Sequence, residues 1–94
     1  MNFDNAIIKS GISLVEQAND EPNQNRKLAL ICASGFMSDA LGQPLTRQAE
    51  LLDDARAEIL PHAYGSDSIL AAYNSLTALW SEIYAEIAKG AKHE

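Results

Sequence analysis

The chain has 94 residues, of which 47% are apolar and 21% charged, and a formal net charge of −6. That is enough for one modest core and too little for two, and it is too apolar for a disordered chain. The acidic balance argues against a protein that grips the phosphates of a nucleic acid, which needs a basic face.

Helical periodicity runs through the whole chain, broken at 19–22, 42–44 and 61–65, where Pro, Gly and Asn gather. No segment alternates as a strand does between hairpin turns. The expectation is an all-α antiparallel four-helix bundle with helices at about 4–18, 21–41, 45–60 and 66–89, forming one domain over 1–94.

In the first helix Asn2 or Asp4 can accept from the free N–H groups of the first turn. At 100° per residue Ile7, Ile8, Gly11, Leu14, Val15 and Ala18 share one face, with Ile12 at its edge. Glycine at position 11 costs about 1 kcal/mol of helix propensity against alanine. Either a neighbouring helix passes close to that backbone, or the site simply tolerates glycine.

The second helix is expected to start after Asp20 as N-cap, with Pro22 in its first turn and Gly42 as its stop. Ala29, Ala33, Phe36, Met37 and Ala40 make its inner face, flanked by Leu30, Cys32 and Leu41. Ile31 points away, among Gln24, Lys27 and Ser38. The third helix begins at Pro44 or Leu45 and is expected to end before Pro61. Leu45, Ala49, Leu52, Ala55 and Ile59 face inward, and Glu50, Asp53, Asp54 and Glu58 face outward. Arg56 lies beside the apolar stripe, its stem over the core and its head reaching water. The loop at 61–65 is expected to cap the bundle, with Tyr64 packing inward.

In the fourth helix Ser66 is the expected N-cap and Gly90 the expected end. Ile69, Tyr73, Leu76, Trp80, Ile83 and Ile87 are spaced 4, 3, 4, 3 and 4 apart, a heptad seam. More of this helix is apolar than the seam requires. Leu70, Thr77 and Tyr84 line one flank, Ala72 and Leu79 the other. Ala71, Ala78 and Ala85 sit opposite the seam, where Lys or Glu is usual. A helix apolar most of the way round is either central or covered by a partner. The expected interface is therefore Leu70, Ala71, Ala78, Leu79, Tyr84 and Ala85. Good helix propensity is the plainer reason for the alanines.

No catalytic constellation emerges. A nucleophilic cysteine needs an activating histidine or a helix N-terminus, whereas Cys32 falls mid-helix and reads as a small buried hydrophobe. His62 and His93 lack the companions of a zinc site, and no Glu-x-x-His pair suggests a di-iron centre. Phosphate-cradling glycine motifs are absent. The acids of the third helix read as a solvated face, with Arg47–Glu50 and Asp53–Arg56 at pairing distance. A helix-turn-helix about Gly42 would make the third helix the reader of DNA, with two arginines against four acids. Aromatics at the spacing of Tyr73, Trp80 and Tyr84 are more often core than a ligand box.

A lone cysteine fits a reducing compartment. The longest apolar block, 28–33, is far below the roughly 18 residues of a membrane span. Asp4 precedes the first cation, Lys9, unlike a secretory leader. These residues lead us to expect a cytoplasmic protein with no cofactor, metal, nucleic acid or membrane partner. The expected function is a non-enzymatic protein–protein interaction module of the inhibitor, immunity or regulatory-subunit type. The alternatives are a structural homo-oligomer, as small as a homodimer, and a small-ligand carrier or enzyme with a pocket between helices.

Overall fold

A computed structural model describes residues 2–92. It contains four helices and, among those residues, no strand: α1 (Asp4–Asp20), α2 (Gln24–Ala40), α3 (Leu45–Ala63) and α4 (Asp67–Lys92). Each packs on the next through a loop of three or four residues, so neighbours run antiparallel. The ring is not closed evenly, since α1 and α4 meet only slightly. The transverse extents of 23 and 15 Å show the same flattening.

The helix ends follow local chemistry, not always as the sequence suggested. Asn2 Oδ1 accepts from the Asp4 N–H at 2.8 Å and so opens α1. Phe3, at the cap position, is buried in the core. α1 runs on to Asp20, and Glu21 is extended, as a residue before proline prefers. Pro22 consequently lies in the loop, and Asn23 takes the capping role expected of Asp20: its Oδ1 accepts from the Arg26 N–H at 3.1 Å. α2 stops at Ala40. Leu41 is extended, and Gly42 turns the chain at φ 74°, a conformation that strains any side chain.

α3 does not stop before Pro61 but carries it in its last turn. Proline forfeits one backbone hydrogen bond there, and continuing to Ala63 buries that residue in the core. His62 thus sits on the helix and not in a loop, and Tyr64 turns out to solvent, 87% exposed, instead of packing inward. Ser66 caps α4 as expected, accepting from the Ile69 N–H at 3.3 Å. α4 passes through Gly90 without the left-handed turn that ends a helix.

The core is built from Ile7, Leu14, Leu30, Leu52, Ile59, Ile69, Leu76 and Ile83, packed among small alanines. Gly11 sits against α2: a Cβ placed there would stand 3.5 Å from Met37 Cβ. That is ordinary contact, so α2 passes close by without requiring glycine.

Candidate interaction surfaces

α4 buries one face and presents the other. Its seam behaves as the spacing demands: Ile69, Leu76 and Ile83 are fully buried, and Tyr73, Trp80 and Ile87 pack against the core. Of the six residues expected to form an interface, Leu70, Ala71, Ala78, Tyr84 and Ala85 are exposed. Leu79 is not, at 6%, and belongs to the core. The buried arc of α4 reaches one position further round than the seam, which removes Leu79 from any outer surface. What remains outside is three alanines with Leu70 and Tyr84 on one border.

That border is organised by Arg56 of α3. Its Nε donates to Thr77 Oγ1 at 3.0 Å and its Nη2 to Tyr73 Oη at 3.2 Å. Nη1 pairs with Asp53 at 3.0 Å. The guanidinium also lies 5.2 Å from the Tyr73 ring centre and 4.8 Å from that of Trp80. Trp80 in turn packs on Tyr84, ring centres 4.4 Å apart. The Arg56 head was expected in water; instead its side chain is only 15% exposed, because planar guanidinium both stacks and donates. All of these groups are engaged with one another, so the cluster ties α3 to α4.

The other face of the molecule is different. On α1, Ile8, Ile12 and Val15 are exposed, and on α2, Leu28 and Ile31, with Leu41 just past its end. Ile8 and Val15 were expected inside; the core takes only the Ile7, Leu14 and Ala18 side of that broad arc. The α2 core arc runs through Ala29, Ala33, Met37 and Ala40, leaving Ile31 outside as anticipated and Leu28 with it. Between the two stripes runs a groove of about 310 Å³ whose α2 wall is low, at Ser34, Gly35 and Ser38. Ile8, Ile12, Val15 and Leu41 line this groove, and Leu28 and Ile31 are exposed further along α2.

A second groove, of about 350 Å³, lies where α1 and α4 fail to close. Its walls are polar, with Lys9, Ser10, Ser13, Ser68 and Ser75 over Leu14 and Leu76. Gln17 lines it too, and its buried Nε2 has no hydrogen-bond partner among the described residues.

The candidate chemical residues do not converge. Cys32 is exposed, not buried as expected, because it lies about 60° beyond Ala29, the edge of the α2 core arc on that side. Glu50, Asp53 and Asp54 face solvent, and the pairs Arg47–Glu50 and Asp53–Arg56 form at 2.8 and 3.0 Å. His93 lies outside the described residues. Among the described residues no three His, Cys, Asp or Glu side chains come close enough together to hold a metal ion, and no helix is long and apolar enough to cross a membrane. Comparison with family models, curated proteins and solved structures finds no match to this chain.

Proposed function

We propose that this chain is a protein-binding module, of the inhibitor, immunity or regulatory-subunit kind, that works without catalysis. The observation that carries this reading is the exposed aliphatic face of α1 and α2: Ile8, Ile12, Val15, Leu28, Ile31 and Leu41. Single exposed aliphatics are ordinary, but six of them on and beside one groove of a small domain favour a contact surface. Covering it gains roughly 25 cal/mol for each Å² of apolar area removed from water. The outer face of α4 offers less, since alanines supply little area and Trp80 and Tyr84 already pack on each other.

Site-specific photocrosslinking in the cells that make the protein tests this directly. A photoreactive residue at Ile12 or Ile31 should give a discrete protein adduct, and one at Asp54 should give none. Adducts from Ala78 alone would return the contact to α4. No adduct from any position would remove the reading.

A further inference from the structure

We infer that the partner on the α1–α2 face is a second copy of this chain, related by a two-fold axis that sets α1 antiparallel to its copy near Ile12. This rests on reading that face as a docking surface, and three observations point to a second copy.

The first is charge. At 100° per residue Glu16 and Lys9 lie about 40° and 60° beyond Ile12 on the side of α1 away from α2, where Lys9 also borders the α1–α4 groove; they stand four residues after Ile12 and three before it. Neither forms an ion pair with another described residue. A two-fold axis across α1 at Ile12 places Lys9 of each copy opposite Glu16 of the other, giving two complementary pairs.

The second is shape at the axis. Residues on a two-fold meet their own copies, so they must be small or self-compatible. The Gly11–Met37 contact sets the register of α1 on α2 and brings Gly35 within one residue of the level of Ile12. A Cβ built at Gly35 meets nothing within 4 Å, so this position opens outward. Two glycines there let the α2 helices approach, and Ile12 packs on Ile12.

The third is area. The six aliphatics leave on the order of 500 Å² exposed per copy, so two copies remove roughly 1,000 Å² before Ser34, Ser38 and the charged edge are included. Stable interfaces bury about 1,200–2,000 Å² in total, so the contact requires those edges as well as the aliphatics.

Sedimentation equilibrium on the purified chain, at about 5 to 200 μM, is the test. The wild type should weigh twice 10.2 kDa. Ile12→Glu should be monomeric with an unchanged helical spectrum, since Ile12 is 52% exposed and the fold does not depend on it. Lys9→Glu and Glu16→Lys should each weaken the dimer about tenfold or more, and the double swap should restore it to within about threefold of wild type. Additive losses in the double swap would overturn the antiparallel pairing. A wild type that is monomeric throughout would overturn the second copy. If Ile12 still crosslinks to a different protein in cells, the docking face stands and only its occupant changes; if it crosslinks to nothing, both readings fail.

Discussion

Gln48 of α3 reaches back across the bundle to Asp4, its Nε2 3.0 Å from Asp4 Oδ1 and 3.0 Å from the Ala40 carbonyl oxygen. Asp4 also accepts from the Gly42 N–H at 3.3 Å. One carboxylate and one amide thus join the start of α1 to the end of α2 and the turn into α3. Gln48 is the only buried polar residue among those described, and its amide is a second donor to the Ala40 carbonyl, which also accepts from the Gln43 N–H at 3.2 Å.

Removing the Gln48 amide leaves the Ala40 carbonyl with the Gln43 N–H alone and Asp4 Oδ1 with the Gly42 N–H alone. Gln48→Leu should destabilise the fold by about 1–3 kcal/mol in urea unfolding. The double variant with Asp4→Ala should lose less than the sum of the two single changes, because both break one shared contact. Strict additivity would show that the two side chains act separately.

Leu76 is 1% exposed at the middle of the α4 seam. Leu76→Ala should cost about 2–5 kcal/mol, the transfer of the lost methyl groups plus the cavity they leave. Ala78→Glu, two residues along and exposed, should change stability by only a few tenths of a kcal/mol. Chemical denaturation of both variants reads the contrast, and similar losses would mean that α4 is rotated from the orientation described.

Arg56→Lys keeps the charge and loses the planar fork. The substitution should cost about 1–2 kcal/mol, through the bonds to Thr77 and Tyr73 and the stacking on Trp80. Trp80 is the sole tryptophan, so its emission reports on the cluster without interference. An unchanged emission spectrum and unchanged stability would show that the guanidinium stays in water.

Cys32 is exposed, which reverses the expectation from the helical wheel. The folded protein should react with one equivalent of a thiol reagent at a rate near that of the denatured chain. Cys32→Ser should alter stability by less than about 0.5 kcal/mol, as for a surface change. Protection of the thiol until unfolding would restore it to the core.

Which parts of the molecule were legible in advance follows from how far each signal reaches. Helix number, helix type and the heptad seam of α4 depend on short-range periodicity, and Ile69, Leu76 and Ile83 stand where the spacing put them. Caps are equally local when competition is absent, as at Ser66; where Asp20, Pro22 and Asn23 compete, the extended residue before proline settled it. The wheel of one helix, however, shows a broad apolar arc without saying which part a neighbour covers. On α1 that arc spans Ile7 to Val15, and the placement of α2 buries Ile7 and Leu14 while leaving Ile8, Ile12 and Val15 outside. The same placement exposes Cys32, and Leu79 of α4 joins the core although it lies outside the heptad seam. Contacts between residues far apart in the chain, Asp4 with Gln48 and Arg56 with Trp80, leave no periodic trace at all. Local spacing therefore determined the helices and their approximate ends. Only the packing of helix on helix decided which apolar surface remained uncovered, because burial is a property of pairs of elements and not of any one of them.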